Sequence, residues 1–184
     1  RACAQVAPQL PATSNSVKGD AIHLLDLLDS EDAPAHFAMT QSDVGSLRRF
    51  THEFLVTLEA LHFDEWKKIP ILVDWNLGNF SVEPDPADPQ AFRLFSRWDY
   101  DWFRIESRLL DFYFLSRVSS RTGDRSAFTY GAHTLLEPRF RRFLVAYHEV
   151  MPLTEGEVLF LREAYRFFLL NYVVREGRHF FRYE

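Results

Sequence analysis

The chain has 184 residues, of which 16% are aromatic, and this length and composition favour one packed domain over a disordered segment. The formal net charge of −5 gives no basic field for nucleic acid, and the lack of an 18-residue apolar run predicts that the chain does not span a membrane. The single cysteine, Cys3, excludes an intrachain disulfide and favours a reducing, cytoplasmic compartment.

The first 40 residues are predicted to lead into the main domain. Residues 1–20 are rich in Pro, Ala, Ser and Thr with little periodicity, which is typical of a linker. A short apolar patch from Ile22 to Leu28 follows and predicts a helix. We therefore divide the chain into a linker and lead-in helix over 1–40 and a main domain over 41–184.

Longer helices are predicted where apolar residues recur every three or four positions. The clearest of them runs from Thr40 to His62, and the others cover residues 107–118, 136–150 and 155–177. The last helix is preceded by Thr154 and Glu157 in a capping-box pattern. The expected fold is α+β and mainly α.

A loop between two apolar runs carries one carboxylate and one amide. The runs Ile69–Val73 and Phe80–Val82 predict strands, and Asp74 and Asn79 lie between them, five positions apart. We expect Gly78 to let this loop turn tightly. In phosphoryl transfer, an Asp can orient the attacking hydroxyl and accept its proton, while an Asn oxygen ligates the metal on the nucleotide phosphates. The structural alternative is an ordinary turn, which Asp74 caps and in which Asn79 follows a glycine.

A third apolar run, Phe92–Trp98, ends at another acidic residue, Asp99. This run predicts a hairpin strand that follows a Pro- and Asp-rich turn over residues 84–90. A carboxylate here suits the principal ligand of a metal ion, and a strand end in solvent is the structural alternative. Asp111 lies in a very apolar helix, where an unpaired charge is costly. We therefore expect Asp111 to be buried, hydrogen-bonded and a brace for the loop.

These segments resemble the catalytic half of the aminoglycoside phosphotransferase and choline kinase superfamily, which includes homoserine-kinase-like enzymes and shares its core with protein kinases. The family's first motif reads roughly His-Gly-Asp-Leu-His-x-Gly-Asn. Its second motif is an apolar run ending Ile-Asp-Phe or Ile-Asp-Trp, followed by Asp-Leu-Ala. By this resemblance Asp74 matches the catalytic Asp and Asn79 the motif Asn, while Asp99 matches the metal-binding Asp and Asp111 the last Asp.

The resemblance implies the C-terminal helical lobe of a protein-kinase-like fold, with a small β-hairpin that carries the catalytic loop. It also implies an ATP- and Mg²⁺-dependent phosphotransferase acting on a hydroxyl of a small molecule. Asp74 would be the base, and Asn79 and Asp99 would bind the metal and the nucleotide. Leu72 and Asn76 stand where the motif has its two histidines, so the hydrogen bonds that brace the loop must be made otherwise or are missing.

A nucleotide-clamping N-terminal lobe is not recognisable in this sequence. Such a lobe supplies a glycine-rich loop and a lysine for the phosphates, whereas the lysines here are Lys18, Lys67 and Lys68, and none lies in a predicted strand. We therefore expect this chain to form the C-terminal lobe, with the N-terminal lobe as a missing partner. The alternative is a catalytically silent family member that serves as a binding or regulatory module. The acceptor stays open among aminoglycoside, choline, homoserine and sugar hydroxyls.

Overall fold

The computed structural model describes residues 16–120 and 131–177. The α-helices within these ranges are α1 (Val17–Asp29), α2 (Ala33–Phe37), α3 (Gln41–Ala60), α4 (Asp111–Ser119), α5 (Pro138–Val150), α6 (Glu155–Leu159) and α7 (Leu161–Phe167), and a π-helix follows over Phe168–Arg175. The strands are β1 (Ile69–Ile71), β2 (Phe80–Asp85), β3 (Asp88–Arg97) and β4 (Arg104–Glu106). The fold is therefore α+β and mainly helical, as the sequence predicts.

Helix α1 begins earlier than the sequence predicts. Residues 17–20 were expected to be linker but are helical, because the Ser16 hydroxyl caps the first turn by accepting a 2.9 Å hydrogen bond from the Gly19 amide. One face of α1 is buried in the core: Val17, Ala21, Leu24 and Leu28. Helix α1 therefore belongs to the same hydrophobic core as the helices after residue 40. Residues 1–15 of the predicted linker lie outside the described residues.

Helix α3 confirms the helix predicted from periodicity. Its first turn is closed by a capping box, in which the Thr40 hydroxyl accepts from the Asp43 amide and the Asp43 carboxylate accepts from the Thr40 amide. A buried stripe runs along α3: Val44, Thr51, Phe54 and Leu58. The Phe54 ring stacks on Phe167 of α7, with centroids 5.9 Å apart. This packing joins α3 to the C-terminal helices.

The single helix predicted over residues 155–177 is divided in the structure. The capping box of Thr154 and Glu157 is confirmed at the start of α6. The break between α6 and α7 falls at Phe160, whose fully buried ring packs against Phe63 and Trp66 with centroids 4.9 and 5.5 Å away. After α7 the backbone continues as the π-helix. A hydrophobic pattern alone does not distinguish these segments from one continuous helix.

Two antiparallel strand pairs frame the loop between β1 and β2. β1 pairs with β4, and β2 pairs with β3 so that Phe80 lies opposite Arg97. The turn of the hairpin β2–β3 is shorter than predicted, because β2 continues to Asp85 and β3 begins at Asp88. The Asp85 carboxylate stabilises this tight turn by accepting a 2.8 Å hydrogen bond from the Ala87 amide. No helix in the described part of the chain is long and apolar enough to cross a membrane.

Candidate functional site

Asp74 and Asn79 contact each other within the loop that joins β1 to β2. The Asn79 amide nitrogen donates a 3.0 Å hydrogen bond to Oδ2 of Asp74, and the Asn76 backbone N–H donates to Oδ1 at 3.1 Å. Each carboxylate oxygen therefore keeps lone-pair capacity for a further donor. Since the amide nitrogen of Asn79 is used by Asp74, its amide oxygen is the atom that can face a cation.

Asp99 follows the end of β3, beside this pair. The Trp98 amide donates a 3.1 Å hydrogen bond to the Asn79 carbonyl, so the backbone places Asp99 one residue beyond a direct contact with the loop. Its carboxylate is exposed and makes no hydrogen bond or ion pair with the described residues. The structure thus brings Asp74 and Asn79 into direct contact and places Asp99 near enough for its charge to act on Asp74.

The charges around Asp74 act in opposite directions on its pKa. Burial raises the pKa of the Asp74 carboxyl, and the negative charge of Asp99 raises it further. The hydrogen bonds from Asn76 and Asn79 and the positive charge of Arg97 lower the same pKa, and the net shift is upward. A raised pKa makes a carboxylate a stronger proton acceptor than an ordinary Asp.

Two non-glycine residues of the site have left-handed backbone conformations. Val73 has φ of 60° and Asp99 has φ of 64°. This region is unusual for a β-branched residue, and such strain is retained where the surrounding structure enforces it, often at functional sites. Gly78 does not have positive φ, and a Cβ there would lie 3.4 Å from Asn76 Oδ1, an ordinary contact. The prediction that the loop depends on the freedom of Gly78 is therefore wrong.

Asp111 fixes the start of the loop, as the sequence predicts. Its Oδ1 accepts hydrogen bonds from the backbone amides of Leu72, at 3.1 Å, and Val73, at 2.7 Å. Burial raises the pKa of Asp111 to about 6, although these hydrogen bonds lower it. The contacts hold Val73 in its strained conformation from the side of α4.

Asn76 and Trp98 brace the other end of the loop. Asn76 accepts a 2.9 Å hydrogen bond from the Gly78 amide through its side-chain oxygen. The indole of Trp98 donates to the Gly78 carbonyl at 3.3 Å. The loop is therefore braced at both ends, at Leu72 by Asp111 and at Gly78 by Asn76 and Trp98.

Arg97 is a residue of this site that the sequence analysis missed. Its Nη2 donates a 2.7 Å hydrogen bond to the Asp74 carbonyl. The guanidinium carbon lies 5.6 Å from the ring centroid of Trp75 and 5.2 Å from those of Phe80 and Tyr100. The sequence signal is weak, since an arginine two residues before Asp99 is one of two arginines in an apolar strand.

Asn79 and Asp99 have the donor chemistry that Mg²⁺ requires. Mg²⁺ prefers oxygen ligands and is commonly held by one or two carboxylates together with substrate phosphates. Asp99 offers a carboxylate without a partner among the described residues, and Asn79 offers an amide oxygen. No three His, Cys, Asp or Glu side chains form a metal-binding group within residues 16–120 and 131–177.

Comparisons of the chain with protein-family models, with curated proteins and with solved structures found no match. The kinase-like fold and the roles of Asp74, Asn79 and Asp99 therefore stay predictions. They depend on the two sequence motifs and on the contacts described above.

Proposed function

We propose that the chain carries the catalytic loop and the metal-binding residues of an ATP-dependent phosphotransferase that acts on a hydroxyl of a small molecule. The observation that carries this proposal is the 3.0 Å contact between Asn79 Nδ2 and Asp74 Oδ2. Asp99 lies close by in the fold, and its carboxylate makes no hydrogen bond or ion pair with the residues that the structure describes. This arrangement separates one carboxylate for proton transfer from a second one for a cation, as phosphoryl transfer requires.

Asp74 acts as the base. Its carboxylate is partly buried, and each oxygen has capacity for one more hydrogen bond. One carboxylate oxygen therefore orients the acceptor hydroxyl. It takes the proton of that hydroxyl as the hydroxyl oxygen attacks the phosphoryl group. Hydrogen bonds from Asn79 and Asn76 hold the Asp74 carboxylate in place while it accepts the proton.

Asn79 and Asp99 would hold the cation. When bound, ATP would supply the phosphoryl group and Mg²⁺ would neutralise the charge that develops on it. The protein contributes the fixed positions of two oxygen donors. Asn79 is fixed by its contact with Asp74, and Asp99 is fixed by the pairing of β3 with β2 immediately before it.

The mainly helical body corresponds in this proposal to the C-terminal lobe of a protein-kinase-like fold. A β-rich lobe that clamps the nucleotide is then the required partner. Phosphoryl transfer depends almost entirely on positioning and electrostatic stabilisation, so the chain without that partner has weak affinity for nucleotide. The cofactors of the proposed reaction are ATP and Mg²⁺, and the proposed location is the cytoplasm.

A catalytically silent binding or regulatory module is the second candidate. It is favoured by the ion pairs of two lysines, since Lys18 pairs with Glu59 and Asp64 and Lys68 pairs with Glu106. Neither lysine is free to bind nucleotide phosphates. In this function the site binds a metal or a nucleotide but does not transfer a phosphoryl group.

The two candidates are separated by turnover in the full-length protein. We expect wild-type protein to phosphorylate at least one member of a panel of aminoglycosides, choline, homoserine and sugars in the presence of Mg²⁺-ATP. Asp74→Asn should lower kcat by about 10²–10⁴-fold with nucleotide affinity retained, because the base acts on the acceptor hydroxyl and not on ATP. Wild-type turnover by Asp74→Asn would contradict the mechanism. Nucleotide binding without turnover on any acceptor would support the silent module.

A further inference from the structure

We infer that Arg97 is a positioning residue that fastens the loop of residues 72–79 to the end of β3 and so sets the placement of Asp74 relative to Asp99. The effect of Arg97 on metal binding and catalysis rests on the proposed function. The structural part of the inference concerns only the loop and the strand.

Arg97 links the segments that carry Asp74 and Asp99, through its backbone on one side and its side chain on the other. Its backbone belongs to β3, two residues before Asp99, and lies opposite Phe80 in the hairpin. Its side chain crosses to the loop, where Nη2 donates the 2.7 Å hydrogen bond to the carbonyl of Asp74. One side chain therefore links the backbone that carries Asp74 to the strand that carries Asp99.

The guanidinium is held by aromatic rings. Trp75 and Phe80 stack with centroids 5.4 Å apart and an interplanar angle of 19°, and the guanidinium carbon lies within cation–π distance of both rings. Tyr100 packs on it as well and donates its hydroxyl hydrogen bond to the Arg97 carbonyl at 3.2 Å. A planar guanidinium suits such stacking, whereas a lysine ammonium would keep the charge and hydrogen-bond donors but not the planar stacking surface.

Stability alone does not account for this arginine. Its Nε and Nη1 atoms are buried and make no hydrogen bond with the described residues. Burying donors without acceptors is costly, and an apolar side chain would avoid that cost. What the arginine provides, and an apolar side chain would not, is the hydrogen bond from Nη2 to the Asp74 carbonyl.

The hydrogen bond from Arg97 also lies between the two residues of the site that have left-handed φ. Its acceptor, the Asp74 carbonyl, comes one residue after Val73, and Arg97 itself precedes Asp99 by two residues. The left-handed φ of the β-branched Val73 persists only where neighbouring contacts enforce it, whereas an aspartate adopts this conformation more readily. Without the hydrogen bond from Arg97, the loop and the end of β3 would be free to relax independently.

Arg93 provides a matched control on the same strand. It lies four residues before Arg97, and it pairs through Nε with Glu83 at 2.6 Å. The Arg93 side chain is 75% exposed. Replacing Arg93 therefore removes an arginine from β3 without touching the loop.

The test compares Arg97→Met, Arg97→Lys and Arg93→Met with wild-type protein by hydrogen–deuterium exchange and by Mn²⁺ titration. For Arg97→Met we expect amide exchange over residues 72–79 to accelerate by about tenfold or more, the effect of losing one charge-assisted hydrogen bond, with protection of α3 unchanged. Mn²⁺ affinity should fall by a similar factor. Arg97→Lys should show intermediate values, and Arg93→Met should match wild-type protein.

Three results would overturn the inference. The first is loop exchange in Arg97→Met equal to that in Arg93→Met. The second is an equal loss of protection in the loop and in α3. The third is full wild-type behaviour of Arg97→Lys, which would show that any cationic donor suffices without the planar guanidinium. If Arg97→Met does not fold, Arg97→Lys carries the comparison. Absence of Mn²⁺ binding in wild-type protein would count against the proposed function, while loop exchange would still decide the role of Arg97.

Discussion

The carboxylate of Asp111 accepts a 2.7 Å hydrogen bond from the backbone amide of Val73. This bond joins the first turn of α4 to the residue that precedes Asp74. Val73 has a left-handed φ, which is unusual for a β-branched residue, so the bond acts on a strained point of the loop. The placement of Asp74 therefore depends on a residue 37 positions later in the chain.

Asp111 should make the stability of the protein depend on pH. Its pKa in the folded chain is about 6, above the ordinary 3.8, so the folded state binds this proton more tightly than the unfolded state. The contribution of Asp111 is therefore fully present below its unfolded pKa and is lost as the pH rises through the folded pKa. From pH 4 to pH 7 we expect the free energy of unfolding of wild type relative to Asp111→Asn to fall by about 1–3 kcal/mol.

Urea denaturation of both proteins at several pH values measures this difference, and groups other than Asp111 cancel in the comparison. A difference that stays constant or rises over this range would contradict the pKa direction.

Asp20 should be essential for stability, although it is far from the candidate site in sequence. Its two carboxylate oxygens pair with Arg104 at 2.9 Å and with Arg175 at 3.0 Å, and the exposed fraction of these three side chains is at most 11%. Asp20→Asn removes the carboxylate partner of Arg104 and leaves Arg175 only the more exposed carboxylate of Glu176. We expect the free energy of unfolding to fall by about 3–5 kcal/mol, as measured by chemical denaturation.

The control for Asp20→Asn is Glu83→Gln, which removes the exposed partner of Arg93. A surface pair of this kind contributes about 0–1 kcal/mol. An equal decrease in the free energy of unfolding in Asp20→Asn and Glu83→Gln would show that the ion pairs of Asp20 contribute no more to stability than a surface pair.

Gly45 offers a test of the fold that is independent of function. It lies inside α3, and a Cβ added there meets nothing within 4 Å. Because glycine is the less favourable residue in a helix interior, Gly45→Ala should stabilise the protein by about 0.5–1 kcal/mol. Thermal denaturation should show a higher Tm, and a lower Tm would argue against a helix at this position.

Features encoded over short stretches of sequence could be predicted. Helix α3 follows from apolar spacing, and the capping box of Thr154 and Glu157 follows from residue types three positions apart. Asp74 and Asn79 meet because they lie in one loop between short strands. In each of these cases the partners are close in sequence, so a local pattern contains the information.

Features that depend on distant partners or on strain could not be predicted. The contact of Arg175 with Asp20 joins residues 155 positions apart, and no periodicity reports such a pair. The role of Arg97 depends on the fold of the loop around its side chain. The left-handed φ of Val73 opposes the local preference of a β-branched residue, so it arises only from tertiary contacts such as those with Asp111.

The most direct test of the proposed site is calorimetric titration of the chain with ATP, with and without Mg²⁺. The proteins compared are wild type, Asp99→Asn and the control Asp88→Asn, whose exposed carboxylate lies at the hairpin turn. We predict weak binding that requires Mg²⁺, weakened by about tenfold or more in Asp99→Asn because a hard cation loses its charged ligand, and unchanged in Asp88→Asn. Tight ATP binding without a divalent ion, or equal binding by Asp99→Asn and wild type, would contradict the proposal.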